Sequence, residues 1–181
     1  MREDLARLLV QAAAEGGILL EEEQGLLFTR YFQEIIAWNE KINLLSRRSS
    51  EDVLLANAID SLTVLRSIPS QEGALLDLGS GGGFPGIPLK IARPELKVTL
   101  LESSRKKTSF LKHIIRVLPL RETMVIHDRV ENLLANEAYK DAFDVVISKA
   151  AFKLPPFLMW GAFFLAPGGI LIAMKGDDIR Q

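Results

Sequence analysis

The chain has 181 residues, with 22 Lys and Arg against 23 Asp and Glu and a formal net charge of -1. This length accommodates one domain, or one domain with a short extension. The balanced charge provides no global attraction to polyanions or membranes. The lack of cysteine excludes disulfides, Cys-ligated zinc or iron–sulfur sites and covalent cysteine catalysis. No continuous apolar segment typical of an export signal follows the first residues, so we expect a cytoplasmic protein.

The first part of the chain is predicted to be helical. Ser49-Ser50-Glu51-Asp52 is typical of a helix start, since hydroxyls cap the first turn and acids lie near the positive end of the helix dipole. Two further helices are indicated before it by apolar residues at helical spacing, namely Leu5, Leu8, Leu9 and Ala12, then Leu27, Tyr31, Ile35 and Trp38.

From Gly73 onward, short apolar runs alternate with amphipathic stretches. Strands are predicted at 74–78, 98–102, 124–126, 143–148 and 169–175, and helices from about 88 and at 104–118, 130–135 and 156–165. This alternation predicts an α/β fold with a parallel sheet and right-handed crossovers. We therefore expect a helical extension over 1–66 and an α/β domain over 67–181.

One uncharged run, 157–174, is long enough to suggest a membrane span. Pro167-Gly168-Gly169 interrupts it, and Ile170–Ala173 resembles a short buried strand. A helix, a turn and a strand are therefore preferred to a transmembrane helix, and no membrane association is expected.

The chemistry is concentrated in the loop that follows the first strand. Asp77, Gly79, Gly81 and Gly83 form an acid-x-Gly-x-Gly-x-Gly pattern between a strand and a helix, an arrangement that brings backbone close to a ligand at the carboxyl edge of a sheet. The dinucleotide fingerprint fails because Phe84 occupies its sixth position. The pattern resembles the first motif of class I S-adenosylmethionine (SAM) methyltransferases; the alternative is a plain tight turn. SAM lacks the pyrophosphate that needs a helix N-terminus, and its cationic sulfonium tolerates a nearby carboxylate.

Acidic residues after the next two strands support a cofactor site. Glu102 ends the second strand 25 residues after Asp77, where an acid can accept both ribose hydroxyls of an adenosyl group. Asp128 and Glu131 follow the third strand, where this fold usually meets adenine. One of these two is alternatively a helix cap or a partner of the helix dipole.

The residue types of the chain limit which kinds of substrate atom it could methylate. Carbon methylation of a pyrimidine needs a thiolate, which the chain lacks. The segment Leu154-Pro155-Pro156-Phe157 lies where exocyclic-amine methyltransferases carry a polar residue, but Leu154 accepts no hydrogen bond, so a proline-started helix is preferred. A ring nitrogen such as guanine N7 has a free lone pair and needs alignment alone. The sequence is compatible with this last class without selecting it.

The stretch Asp77–Leu89, with its Phe-Pro-Gly-Ile-Pro extension, resembles the signature loop of the bacterial 16S ribosomal RNA guanine-N7 methyltransferase family, also called glucose-inhibited division protein B. Further matching segments follow in family order, at 38–44, 60–62, 100–103, 106–107, 110–111, 129–131 and 173–176. The resemblance implies methyl transfer from SAM to N7 of a guanosine, with 16S ribosomal RNA or the small ribosomal subunit as partner. It carries cofactor roles onto Gly79, Phe84, Val130 and Glu131.

Three features depart from the family pattern. Ala56-Asn57 stands where the family usually has Arg-His, and Lys149 stands where it has Arg, which keeps the charge without the bidentate fork. The chain ends at Gln181, a few residues past the fifth strand, so the last strands of a class I sheet are expected to be missing. The alternatives are a shortened SAM- or RNA-binding module without catalysis, or a methyltransferase acting on a small molecule.

A local basic cluster is a candidate RNA contact. Six cations lie between Arg105 and Arg121, and Lys41, Arg47 and Arg48 form a second group. The alternative is a solvated helix face, but next to a SAM site we expect phosphate contacts. His113 and His127 have no partners at ligand spacing, so no metal site is expected.

The sequence thus predicts a monomeric SAM-dependent methyltransferase. Lys149 is the candidate catalytic residue between cofactor and target. The candidate cofactor-binding residues are Asp77, Gly79, Gly81, Phe84, Glu102, Val130 and Glu131.

Overall fold

A computed structural model describes residues 4–45, 51–68 and 73–174. Its five described strands form one parallel sheet in the order β3-β2-β1-β4-β5. The strand order reverses between β1 and β4, and in open α/β sheets this switch point is where ligands bind, outside the carboxyl ends of the strands. The strands are β1 (Ala74–Leu78), β2 (Lys97–Glu102), β3 (Thr123–His127), β4 (Phe143–Lys149) and β5 (Leu165–Met174).

Seven described helices precede or connect the strands, together with 3₁₀ turns at Val64–Ser67 and Glu137–Tyr139. The side chain of Gln24 accepts the Glu21 N–H at 2.8 Å at the start of the second helix, which satisfies an otherwise unpaired donor there. The helices are α1 (Asp4–Glu15), α2 (Glu22–Asn39), α3 (Glu51–Thr63), α4 (Gly86–Ala92), α5 (Arg105–Val117), α6 (Val130–Leu133) and α7 (Leu154–Phe164).

The hydrophobic core lies on both faces of the sheet, because successive strand residues point to opposite faces. One cluster contains Leu76 and Leu78 with residues of α6 and α7. The other joins Leu75 and Leu100 to residues of all of α1 to α5. The helices predicted as an N-terminal extension therefore share a hydrophobic cluster with the sheet, which brings α2 and α3 next to the carboxyl ends of its strands.

The predicted strands are all present, and the main difference is where β5 begins. Leu165 already pairs with Phe143, and after a register shift Ile170 pairs with Val145. The Pro167-Gly168-Gly169 turn expected before the strand lies inside it, where Gly168 has a φ of +83°. A register shift of this kind disrupts the pairing locally, while β5 remains paired with β4 on both sides of the turn. The predicted cap at Ser49-Ser50 lies outside the described residues.

The uncharged run 157–174 divides between α7 and β5. Among the helices that the structure describes, none combines the length and apolarity needed to cross a bilayer.

Candidate cofactor and substrate site

The glycine loop follows β1 at the carboxyl edge of the sheet. The Gly79 and Ser80 N–H groups both donate to the Leu101 carbonyl, at 2.9 and 3.1 Å. The Gly83 N–H donates to the Ser80 carbonyl at 2.7 Å. The loop is therefore attached to the neighbouring strand β2 and closed on itself by a turn.

Two glycines of this loop are required by backbone conformation and by space. Gly79 has a φ of +74°, and a Cβ there would lie 2.6 Å from the Cβ of Ala151. Gly83 has a φ of +96°, and a Cβ there would lie 2.7 Å from Ile87 Cγ1. Residues with side chains are disfavoured at such φ values. The loop can therefore pack this closely against Ala151 and Ile87 only with glycine at both positions.

Glu102 is buried beneath the loop and bonds to its backbone. Its Oε2 accepts the Gly81 N–H at 2.9 Å, and its Oε1 accepts the Ser104 N–H at 2.7 Å. A carboxylate has about four lone-pair directions, so both oxygens keep capacity for further donors. The side chain thus links the glycine loop to the residues after β2.

Asp77, near the end of β1, is fully buried beneath the same loop. Its Oδ2 accepts the Gly86 N–H at 3.1 Å, whereas Oδ1 has no hydrogen-bond partner among the described residues. Burial raises the pKa of Asp77 to about 8, against the hydrogen bond from Gly86, which lowers it. A cation bound over the loop would favour the ionised carboxylate. The unpartnered Oδ1 makes Asp77 a candidate counter-charge for a ligand with positive charge, such as a sulfonium.

Two clefts open on either side of Gly79. The first cleft has a volume of about 220 Å³ and is lined by Gly79, Leu101, Ser103, Asp128, Arg129, Val130, Glu131 and Phe152. The second cleft has a volume of about 280 Å³ and is lined by Leu44, Leu45, Asn57, Gly79, Ser80, Gly81, Gly82, Phe84, Lys107, Lys149, Ala150 and Ala151. The glycine loop is therefore the shared border of both.

The first cleft combines apolar walls with acidic side chains at its rim. The ring of Phe152 is supported edge-on by Trp160, with centroids 5.2 Å apart. Asp128 Oδ1 accepts the Arg129 N–H at 2.8 Å and the Asn132 amide at 2.6 Å, hydrogen bonds that hold the pKa of Asp128 below its usual range. Asp128 thus bonds to the start of α6 and also lines the cleft. Apolar side chains such as Val130 and Phe152 offer surface for a flat heterocycle, and the charged side chains beside them offer partners for its polar atoms.

The second cleft brings together two of the residues that depart from the family pattern, Asn57 on α3 and Lys149 at the end of β4. Lys149 Nζ lies 3.1 Å from Asp60 Oδ2, and 17% of its side chain is exposed against 62% for Asp60. The ion pair joins α3 to β4, and its Lys149 side chain lines the second cleft. The side chain of Asn57 donates to the Val53 carbonyl at 2.8 Å within its own helix.

The predicted site residues either line one of the two clefts or lie beneath the glycine loop. Val130 and Glu131 line the first cleft, and Gly81, Phe84 and Lys149 line the second, with Gly79 on both. Asp77 and Glu102 lie beneath the loop and bond to its backbone.

Tyr31 is a loop contact that the sequence analysis did not find. Its hydroxyl donates to the Gly82 carbonyl at 2.6 Å. Its position in the sequence indicated an apolar helix face and nothing more, because a contact across 51 residues leaves no local signal.

Helix α5 presents the predicted basic surface. Arg105, Lys106, Lys112 and Arg116 are exposed, and Lys107 is half-buried at the second cleft. Within the described part of the chain, none of these five cations forms an ion pair. Arg47 and Arg48 of the other basic group lie outside the described residues.

The histidines are placed differently from each other. His113 is half-buried, with Nε2 2.7 Å from Glu34 Oε2, so it joins α5 to α2. His127 is exposed at the end of β3. Among the described residues, no group of three or more His, Asp or Glu side chains is arranged to hold a metal ion.

Comparison with known proteins adds to this geometry. The family model described as rRNA small subunit methyltransferase G (GidB) matches residues 24–181. The chain belongs to the GidB family. Ribosomal RNA small subunit methyltransferase G of Syntrophus aciditrophicus is 48% identical to it over 97% of this chain and 73% of that protein. The protein of the same name from Desulforamulus reducens is 40% identical over 98% of this chain and 75% of that protein. The family resemblance found in the sequence is thereby confirmed.

Solved structures support the same fold for this GidB-family chain. A putative SAM-dependent methyltransferase from Methanococcus maripaludis superposes with a TM-score of 0.57 at 18% identity, over 66% of this chain and 55% of that one. TYW2 of M. jannaschii, solved in complex with AdoMet, superposes with a TM-score of 0.54 at 19% identity, over 70% and 53%. The predicted class I methyltransferase fold is confirmed.

Proposed function

We propose that this chain transfers the methyl group of SAM to N7 of a guanosine in 16S ribosomal RNA. The observation that carries the proposal is the glycine loop with a cleft on each side of Gly79, which offers adjoining places for a cofactor and a target base. The family membership supports the reaction, because the relatives are named ribosomal RNA small subunit methyltransferases. The guanine N7 target is the one that the signature loop implies.

The first cleft is the proposed adenosine site. Val130 and Phe152 offer apolar surface for the adenine ring, and Glu131 lies at the rim. Glu102, beneath the same loop, has acceptor capacity left for ribose hydroxyls.

The amino-acid end of the cofactor is assigned to the loop itself. Gly81 and Phe84 line the second cleft, and buried Asp77 lies below them with one oxygen unpartnered. A cation above the loop would stabilise the ionised form of this carboxyl. These residues therefore suit a ligand that carries both a sulfonium and an ammonium.

When bound, SAM supplies an electrophilic methyl group on a cationic sulfonium. The protein then needs no base, since guanine N7 carries a lone pair and no proton. The task of the chain is to align the ring nitrogen with the methyl group and exclude water. Gly79 lets the loop pack against Ala151 and Phe152, which line the two clefts, because a Cβ there would collide with Ala151.

Lys149 is proposed to hold the target nucleotide. Asp60 fixes the position of its ammonium at 3.1 Å, and a lysine in this setting retains two further N–H donors for a base oxygen or a phosphate. Lys107 lines the same cleft, and the exposed cations of α5 continue from it along the surface. Contacts with several phosphates would make RNA binding dependent on salt.

Methyl transfer with radiolabelled SAM tests the proposal. Small-subunit RNA from cells lacking this methylation is the acceptor, large-subunit RNA is the acceptor control, and Gly79→Ala is the protein control, because its Cβ would meet Ala151 at 2.6 Å. We expect the unaltered chain to label small-subunit RNA. We expect no label in large-subunit RNA and none with Gly79→Ala. Intact SAM binding without any transfer would contradict catalysis and favour a binding module. Transfer to a small molecule in place of RNA would contradict the RNA substrate.

A further inference from the structure

Helix α2 contacts the glycine loop through the side chain of Tyr31. Tyr31 is fully buried, and its hydroxyl donates to the Gly82 carbonyl at 2.6 Å. Its ring packs against Phe84 with centroids 5.5 Å apart. A residue of the helical region is thus in direct contact with two residues that line the second cleft.

The hydrogen bonds of the backbone explain why Gly82 needs this donor. Gly86 is the first residue of α4, so its N–H is one of the donors at the helix start that have no acceptor within the helix. Asp77 Oδ2 takes the Gly86 N–H instead, at 3.1 Å, while the next amide, of Ile87, does donate to Gly83 at 2.7 Å. The Gly82 carbonyl lies before α4, and no backbone N–H of the described residues donates to it. A buried carbonyl without a partner is costly, and the Tyr31 hydroxyl satisfies it.

The loop and Tyr31 also fit each other sterically. A Cβ on Gly83 would lie 2.8 Å from the Tyr31 hydroxyl oxygen, so the ring can approach this far only because residue 83 is glycine. From the opposite side, Glu102 holds the Gly81 N–H. Two peptides of the loop, Ser80–Gly81 and Gly82–Gly83, are thus each bonded by a side chain, and these two side chains are far apart in sequence.

We propose that Tyr31 is a positioning residue for the cofactor site: its hydroxyl orients the peptide between Gly82 and Gly83 and preorganises the loop for binding. The identity of the ligand as SAM rests on the function proposed above. Burial, and then the charge of Asp77, raise the pKa of Tyr31 well above its ordinary value, so the hydroxyl remains a donor throughout the physiological range. The helical region thereby forms part of the cofactor site.

Tyr31→Phe tests the proposal because it removes one oxygen atom and keeps the ring. Preorganisation lowers the cost of binding, and a buried carbonyl that loses its donor is destabilised, so we expect the Kd for SAM to rise about tenfold. The kcat at saturating SAM should change much less than the KM for SAM. Phe28→Leu is the matched control: Phe28 is buried in the same helix, and its ring contacts Phe32. We expect this control to lower the melting temperature while keeping the Kd for SAM within about twofold.

Amide hydrogen exchange of the SAM-free chain provides a second readout that does not depend on the ligand. Tyr31→Phe should speed exchange at the Gly81 to Phe84 amides, and Phe28→Leu should leave them protected. A Kd within twofold of the unaltered chain, together with unchanged loop exchange, would overturn the positioning role and leave Tyr31 as a packing residue. Failure of the unaltered chain to bind SAM would instead contradict the proposed function, and the exchange result would still decide the role of Tyr31.

Discussion

Glu102 and Gly81 are joined by a hydrogen bond of 2.9 Å from the glycine N–H to the carboxylate. The other oxygen of the same carboxylate accepts the Ser104 N–H at 2.7 Å. The acid that the strand pattern assigns to a ribose is therefore already tied to the loop before any ligand binds. It shapes the cofactor site and retains acceptor capacity for hydroxyls.

Glu102→Ala should weaken SAM binding at least several-fold, because it removes both the support of the loop and a charged acceptor for the ribose. Glu95→Ala is the control, since Glu95 is exposed before β2 at the opposite edge of the sheet. Calorimetric titration of both variants measures the effect. Equal affinities would refute the role of Glu102 in the cofactor site.

Asp77 should make folding stability fall as pH rises. Its pKa is about 8 in the folded chain against an ordinary value of 3.8, so the folded state holds a proton that the unfolded state releases. Stability therefore decreases between pH values of about 4 and 8 and levels off above that range. Asp77→Asn keeps an oxygen for the Gly86 N–H and has no proton to lose. Urea unfolding over this pH range should show a free energy of unfolding that decreases with pH in the unaltered chain. In Asp77→Asn, the free energy of unfolding should depend less on pH. Identical pH profiles would contradict the buried, protonated acid.

The basic face of α5 should govern RNA affinity. Lys106→Glu with Lys107→Glu should weaken binding to 16S RNA and reduce the slope of log K against log salt by about 1.5, the loss expected for two phosphate contacts. The control pair is Lys97→Glu with Lys140→Glu, which makes the same change in net charge. Lys97 begins β2 and Lys140 precedes β4, so both lie at the edge of the sheet opposite the glycine loop. Filter binding at several salt concentrations compares the two pairs. Unchanged affinity of the first pair at low salt would remove α5 from the RNA site.

Lys149 should affect transfer more than cofactor binding. Lys149→Met should lower the rate of RNA methylation about tenfold by misplacing the target, with the Kd for SAM within about twofold. Lys149→Arg keeps the positive charge and should retain most of the rate. Single-turnover kinetics with prebound SAM separates these effects. Full activity of Lys149→Met would show that the ion pair with Asp60 has a structural role alone.

The strand pattern was predictable because each parallel strand is a short apolar run bounded by Gly, Pro or charged residues. All five strands appear where the sequence indicates them, while β5 begins earlier than expected. Its first pair, Leu165 with Phe143, depends on the position of the neighbouring strand, and no local pattern in 165–169 reveals it.

The site was predictable as a loop and less so as a set of contacts. The spacing of Asp77 and the glycines identifies the loop because glycine is required at positive φ. Tyr31 and Gly82 are 51 residues apart, and Lys149 and Asp60 are 89 apart. Neither contact leaves a signal in the spacing of neighbouring residues. Which side chains support the loop and which line its clefts is therefore decided by tertiary packing.

The most direct test of the account is to identify the methylated nucleoside. The chain is incubated with methyl-labelled SAM and 16S RNA from cells lacking the modification, and the RNA is digested to nucleosides and separated. We expect label that co-migrates with 7-methylguanosine and is lost with Gly79→Ala. Label in any other nucleoside would contradict the target atom, and no label despite SAM binding would contradict the assignment of this chain as an active methyltransferase.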